Sequence, residues 1–104
     1  MRETVKKVLT GRQIRYLRGL AHHLTPIFQV GKGGVSQTMI EQISLALEAR
    51  ELMKVAVLAN SDENADEVAQ QLKMGTRAEI VQVIGRTIIL YRRSQEKPVI
   101  ELPR

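Results

Sequence analysis

Apolar residues recur at helical spacing in three stretches of the chain. In the first stretch, Thr10 and Gln13 have the spacing of a capping box, so we predict a helix that begins near Gly11. Pro26 is predicted to end it, because proline disfavours helical backbone at the preceding residue. The predicted buried stripe of this helix comprises Ile14, Leu17, Leu20, Ala21 and Leu24.

Two further helices are predicted in the same way. Ser36 is a suitable N-cap for the second helix, and Leu45 lies off the apolar face of that helix. Ser61 or Asp62 is predicted to cap the third helix, and Gly75 to stop it. The apolar face of the second helix comprises Met39, Ile40, Ile43, Ala46 and Leu47, and that of the third comprises Ala65, Val68, Ala69 and Leu72.

Shorter apolar runs predict strands at residues 27–30, 52–59, 78–84 and 87–92, and the tail at 97–103 is predicted to add a short edge segment. The run at 52–59 is almost continuously apolar, which indicates burial on both faces. Gly85 and Arg86 join the last two strands with the pattern of a type II′ turn. The predicted fold class is α/β, with the order α-β-α-β-α-β-β and a mixed four-stranded sheet. Two strand–helix–strand crossovers favour parallel pairing, and the closing hairpin must be antiparallel.

Length and composition limit the class of protein. A chain of 104 residues with 43% hydrophobic residues matches a single domain over residues 1–104, with a core at about 9–93 and peripheral segments at 1–8 and 94–104. The absence of cysteine excludes disulfide scaffolds, thiol nucleophiles and zinc sites built on thiolates. No apolar run approaches the ~18 residues of a membrane span, and the first residues lack the apolar stretch of a secretory signal. We therefore expect a soluble, cytoplasmic, monomeric protein.

Charge is distributed unevenly along the chain, which carries a net charge of +5. Residues 1–35 hold seven Lys or Arg and one acid, residues 36–79 hold four and eight, and residues 80–104 hold five and two. Chance segregation along a short chain is one explanation. The other is a basic face built from both ends of the chain, with an acidic back that orients the protein on a polyanion. A small basic domain points first to nucleic acid.

A glycine-rich loop at residues 31–34, here called the glycine loop, separates a predicted strand from a capped helix. Gly31, Gly33 and Gly34 let the backbone approach a ligand, while Lys32 and the start of the next helix add positive charge. The loop matches the G-x-x-G spacing by which KH-type modules hold a nucleic-acid backbone. It is neither a P-loop nor a dinucleotide fingerprint. A phosphate clamp and a flexible connector both remain open as interpretations of these residues.

The face of the first helix opposite its apolar stripe is basic. A solvated face usually mixes charge signs, whereas this chain has no acid between Glu3 and Glu41, so we favour phosphate contact over a merely solvated face. The predicted contact residues outside the glycine loop are Arg12, Arg15, Arg18, His22, Arg86, Arg92 and Arg93.

Other chemistry is poorly represented. His22 and His23 are adjacent on a helix and diverge by about 100°, so they cannot chelate one metal. With no recognisable nucleophile arrangement, we expect no enzyme, no cofactor and no small-molecule substrate. Aromatic residues are limited to Tyr16, Phe28 and Tyr91, of which Phe28 is predicted to lie in the core and Tyr91 either to stack or to pack. This scarcity favours recognition of backbone and shape over stacking on bases.

Five segments carry a family resemblance: LTGRQ at 9–13, LRGLAH at 17–22, VGKGGV at 30–35, ALE at 46–48 with ELMKV at 51–55, and VQVIGRTIILYR at 81–92. Together they resemble the CRM domain, the chloroplast RNA splicing and ribosome maturation module, in its stand-alone bacterial YhbY-like form. The resemblance implies RNA binding, association with a precursor of the large ribosomal subunit and a role in its assembly. It also implies a fold similar to the C-terminal domain of bacterial translation initiation factor three, with the glycine loop as the family's G-x-x-G loop.

Two hypotheses follow. In the first, the chain binds ribosomal RNA through a continuous basic surface that includes Lys32, Arg12, Arg15 and His22. The acids Asp62, Glu63, Asp66 and Glu67 are then expected to lie away from this surface and its glycine loop, and the site residues are those given above. In the second, the chain docks on ribosomal proteins through its acidic helices, without direct RNA contact, and its basic residues only solubilise it.

Overall fold

A computed structural model describes residues 9–104, and its elements follow the predicted order. The predicted α/β class with a mixed four-stranded sheet is confirmed. The elements are α1 (Gly11–Ala21), β1 (Pro26–Val30), α2 (Gln37–Arg50), β2 (Leu52–Val57), α3 (Ala65–Thr76), β3 (Glu79–Ile84) and β4 (Thr87–Tyr91).

The strands lie in the order β1-β2-β4-β3. β1 pairs with β2 in parallel, with Phe28 opposite Val55, and β4 is antiparallel to both of its neighbours. β2 and β3 therefore run in the same direction, as their crossover predicts, but they are not neighbours because β4 lies between them. Gly85 has a φ of 56°, whereas Arg86 has a negative φ, which is the backbone pattern that a type II′ turn requires.

Helices cover both faces of the sheet. α2 and α3 pack on one face, where Met53, Val55 and Val57 of β2 point. α1 packs on the other face, where Leu17 and Ala21 contact a second cluster that includes Leu52. β2 is thus buried on both sides, as its apolar sequence predicted.

The start of α1 is as predicted, but its end is not. Thr10 and Gln13 form the reciprocal capping box, with Thr10 Oγ1 accepting from the Gln13 N–H at 3.1 Å. The helix ends at Ala21 with His22 as its C-cap, before Pro26. The prediction that Leu20 and Leu24 belong to the buried stripe is wrong: they are 40% and 37% exposed, and Leu24 lies beyond the helix, where helical spacing no longer applies.

The bounds predicted for α3 are also wrong at both ends. Asn64, and neither Ser61 nor Asp62, caps it, forming a capping box with Glu67. Gly75 does not stop the helix, which continues to Thr76. A Cβ on Gly75 would lie 2.7 Å from Cδ1 of Ile40, so close packing of α3 on α2 explains this glycine.

The carboxylate of Glu51 holds the segment that follows β4. Glu51 is 0% exposed; its Oε1 accepts from the N–H groups of Val99 and Ile100 at 2.9 and 2.8 Å, and its Oε2 accepts from the Ser94 N–H at 2.8 Å. Burial by itself would raise the pKa of Glu51, but these three donors and the charge of Arg93 hold that pKa below its ordinary value. The carboxylate is therefore ionised and fully used inside the fold.

The tail itself packs against the domain and forms no strand after Tyr91 in the part of the chain that the structure describes. Ile100 and Leu102 pack on the α1 side of the core, and Gln13 Nε2 donates to the Pro103 carbonyl at 2.9 Å. Glu48 accepts from the Ser94 hydroxyl and from the backbone of Gln95 and Glu96, contacts that lower its pKa. The tail is thus held by hydrogen bonds from side chains of the domain, and it does not add the predicted edge segment to the sheet.

Candidate nucleic-acid interface

Three loops meet at one edge of the sheet. Because β1 and β2 are parallel, the glycine loop and the loop at residues 58–64 leave the sheet side by side. The β3–β4 turn joins them there, since the Val57 N–H donates to the Arg86 carbonyl at 2.7 Å. The structure therefore brings Lys32 and Arg86 to the same edge.

The glycine loop needs two of its glycines for backbone reasons. Gly33 and Gly34 have φ values of 97° and 73°, and the Gly34 N–H donates to the Gly31 carbonyl at 3.1 Å. Residues with side chains rarely adopt such angles. Lys32 is exposed, and α2 begins shortly afterwards with the Ser36 hydroxyl accepting from the Met39 N–H at 3.1 Å. The positive φ values explain these glycines by the path of the connector alone, and they are also compatible with a phosphate clamp.

The expectation that Asp62 and Glu63 lie away from the glycine loop is wrong, and both belong to the loop before α3. Oε1 of Glu63 lies 3.2 Å from the position of a Cβ on Gly34. Asp62 and Glu63 also line a depression together with Arg86. The parallel pairing of β1 and β2 is the physical reason, because it forces the loops after both strands to the same edge.

A second basic region lies on the α1 side of the sheet. Here α1 and strands β2, β3 and β4 enclose a groove of about 560 Å³. No carboxylate is among the described residues that line it. We call it the basic groove; its basic side chains are Arg15, Arg18, His22, His23 and Lys54, and Ala21, Gln82, Ile84 and Ile89 line its floor.

The basic groove unites three predicted contact residues, Arg15, Arg18 and His22, with residues that the sequence analysis did not assign to the site. Lys54 is half-buried in β2, and its Nζ donates to the Leu24 carbonyl at 3.0 Å, which fixes the amine beside the end of α1. Lys54 had a signal in the sequence, because it is the one charged residue of the run at 52–59. Gln82 had none.

Arg92 does not join this surface. Its guanidinium donates to the Ser44 hydroxyl and carbonyl at 2.9 and 2.7 Å and to the Thr76 carbonyl at 2.7 Å. Arg92 thus ties α2 to the end of α3, and its donors are committed within the fold. The structure thus gives Arg92 a stabilising contact within the fold, whereas the sequence predicted a contact with RNA.

Arg12 and Arg93 lie at the opposite end of the sheet from the three loops. Arg86 precedes β4 and Arg93 follows it, so the two are separated by roughly 20 Å along the strand. Arg12, in the first turn of α1, donates to the Arg104 carbonyl at 3.3 Å. The predicted residues thus fall in three regions: the basic groove, the edge at which the three loops meet (the loop edge), and the end of the sheet at Arg12 and Arg93.

The aromatic side chains offer little for stacking. Tyr91 is buried, and burial, together with the nearby Glu51 carboxylate, raises its pKa. Phe28 packs against the core, as predicted. Tyr16 remains 42% exposed on α1. Of the two interpretations of Tyr91, the structure selects packing.

Neither a metal cluster nor a membrane-spanning helix is found among the described residues. Among residues 9–104, no group of three or more potential ligands could hold a metal ion. The rings of His22 and His23 lie 5.2 Å apart at an interplanar angle of 79°, an edge-to-face contact. No helix of the described chain has the length and apolar character needed to cross a bilayer.

Comparison with known proteins identifies the family. The model of the CRS1/YhbY (CRM) domain matches residues 9–92. A Bacillus subtilis protein named "Probable RNA-binding protein YqeI" is 60% identical over 92% of this chain and 100% of its own length. A Haemophilus influenzae protein named "RNA-binding protein" is 38% identical over 92% of this chain and 96% of its own.

A solved structure agrees with the fold. The solution structure of a Staphylococcus aureus hypothetical protein, described as a candidate RNA-binding protein, matches with a TM-score of 0.77 and 55% identity. The match covers 92% of this chain and all of that one. The names of these relatives give binding of RNA and no enzymatic reaction, in agreement with the expectation of a non-enzyme. The chain belongs to the CRS1/YhbY (CRM) domain family.

Proposed function

We propose that this protein binds RNA and holds its phosphate backbone with the basic groove. The observation that carries the proposal is the gathering of five basic side chains around one groove whose described lining contains no carboxylate. Such a site attracts a polyanion and has no internal partner to neutralise it. The relatives named as RNA-binding proteins support the same conclusion.

The groove and the glycine loop contribute differently. Arg15 and Arg18 can each donate two hydrogen bonds to one phosphate. At the loop edge, Lys32 and Arg86 supply charge, but the Glu63 carboxylate beside Gly34 opposes it. We therefore assign the larger electrostatic contribution to the basic groove, with the loop edge as a second phosphate contact.

The proposed target is ribosomal RNA in a precursor of the large subunit, whose assembly the protein assists. The support for this target is the CRM family, with which ribosome maturation is associated. Docking on ribosomal proteins without RNA contact is the competing function. Crosslinking in cells, followed by sequencing of the bound RNA, tests the target: we expect enrichment of large-subunit precursor RNA. Recovery of protein crosslinks without RNA would contradict the proposal.

RNA binding is tested with matched charge-removing variants. Arg15→Gln/Arg18→Gln removes two cations from the groove, and Arg50→Gln/Lys97→Gln removes two exposed cations elsewhere. Each phosphate contact contributes about 0.7–0.9 to the slope of log K against log salt, so the groove variant is expected to reduce that slope by about 1.4–1.8. The second variant is expected to leave the slope near that of the wild type. Equal effects of the two variants would show that net charge, and not the groove, determines binding.

A further inference from the structure

The floor of the basic groove has a chemistry that phosphate contact does not need. Ile84 is 55% exposed although it lies in a strand, and the buried Ile89, which is 2% exposed, also lines the groove. An exposed apolar side chain adds no electrostatic attraction for a phosphate. It suits the flat face of a nucleobase, whose burial against apolar side chains is favourable.

Polar groups that could read a base lie at the same place. Gln82 is half-buried in β3 and lines the groove, and its amide offers both a donor and an acceptor to the edge of a base. His22 and His23 place imidazole rings at the groove, and histidine is among the side chains on which RNA bases stack. The volume of about 560 Å³ falls within the range of pockets that take small molecules.

Gly19 leaves the groove open from the helix side. It lies inside α1 and lines the groove, and a Cβ built on it meets no heavy atom within 4 Å among the described residues. A glycine inside a helix costs about 0.8–1.0 kcal/mol relative to alanine. Packing explains Gly75, but no packing contact explains Gly19, so its local effect is to keep the groove accessible.

We propose that the basic groove receives one unpaired nucleotide of an RNA strand. The phosphates next to that nucleotide contact Arg15, Arg18 and Lys54, while its base lies over the exposed side chain of Ile84. The combination of cations and an apolar floor selects this occupant, since an acidic peptide would use the cations alone. The inference rests on the proposed RNA binding and goes beyond it, because it specifies unpaired RNA. A continuous duplex keeps its bases stacked and cannot insert one.

The test compares two RNA hairpins that differ by a single bulged nucleotide. We expect the wild-type protein to bind the bulged hairpin more tightly, by roughly fivefold or more, since contact with one base is worth that much in other single-strand binders. Gly19→Leu fills the groove without a charge change and is expected to abolish the preference, measured as the ratio of the affinities for the two hairpins. Gly19→Ala is the matched control and is expected to retain most of the preference.

Each outcome decides the inference. Thermal melting confirms that both variants are folded, and we expect neither to melt below the wild type. Equal binding of the two hairpins by the wild type would overturn the nucleotide site but leave RNA binding intact. A Gly19→Leu variant that keeps the preference would overturn it as well, because the bulged nucleotide would then be bound outside the groove. Failure of the wild type to bind either hairpin would overturn the proposed function itself.

Discussion

A carboxylate oxygen of Glu63 lies 3.2 Å from the point at which a side chain would begin on Gly34. The glycine loop therefore lies beside a negative charge, although the residues around it in sequence are basic. Gln71 donates its side-chain amide to the same carboxylate and helps to hold it there. The loop edge thus combines Lys32 and Arg86 with an opposing acid.

Removal of this acid should strengthen RNA binding. Glu63→Gln is expected to raise affinity about two- to fivefold at low salt, because the worth of an exposed charge contact is typically 0.2–1 kcal/mol. The gain should shrink as salt screens the charge. Filter binding measures it, with Glu96→Gln, which makes the same charge change beside Leu45, as the control. Unchanged affinity of Glu63→Gln would place the RNA away from the loop edge.

Gly75→Ala should destabilise the domain, against the ordinary helix preference for alanine. The added methyl group would approach Ile40 Cδ1 to 2.7 Å and Cγ2 to 3.0 Å, so α2 and α3 must move apart. Overpacking of this kind costs about 1–3 kcal/mol. Denaturant unfolding measures the loss, and Ile40→Val combined with Gly75→Ala should recover part of it. Gly19→Ala, in the open part of α1, is the matched control and should be neutral or stabilising.

Glu51→Gln should lower stability at neutral pH by about 1–3 kcal/mol, because the new amide nitrogen cannot accept from the N–H groups that the carboxylate binds. The pKa of Glu51 is lower in the folded than in the unfolded state. Its stabilisation is therefore complete above the unfolded pKa of about 4.3 and is lost as pH falls through the folded pKa. Melting curves from pH 3 to 7 measure this. The variant should lose less stability than the wild type on acidification, and an unchanged pH profile would contradict the assignment.

Arg92→Met should affect stability and leave RNA binding of the folded protein unchanged. It removes the donors to the carbonyls of Ser44 and Thr76, and buried acceptors left without partners cost about 1–3 kcal/mol. Arg93→Met removes the same charge from an exposed position and should change stability by less than about 0.5 kcal/mol. Melting and filter binding separate the two effects. A stable Arg92→Met protein with weakened RNA binding would restore Arg92 to the interface.

Local features of the sequence were the ones that could be predicted. The caps at Thr10 and Ser36 depend on residues three positions away, and both form as expected. The position of β4 between β2 and β3 depends on pairing across the whole sheet, which no local pattern contains. No local pattern marks Glu51 as buried, because its hydrogen-bond donors lie 43–49 residues later.

The candidate site divides in the same way. Arg15 and Arg18 were found because they lie opposite or beside the apolar stripe of α1. Their union with Lys54 and Gln82 could not be predicted, since it depends on where α1 crosses the sheet. The wrong prediction that Glu63 lies away from the glycine loop has the same origin. Charge was counted along the chain, whereas the parallel strands β1 and β2 bring their following loops together.

The central place of β4 determines when the protein can fold during its own synthesis. β2 and β3 both leave the ribosome before β4, and until residues 87–91 follow, each exposes a strand edge with no neighbour. The hydrogen bonds of the Glu51 carboxylate form later still, because their donors belong to residues 94–100, which are synthesised after β4. The complete sheet therefore forms only after residues 87–91 have been synthesised, and a nascent chain halted before residue 87 presents open strand edges on which aggregation can begin.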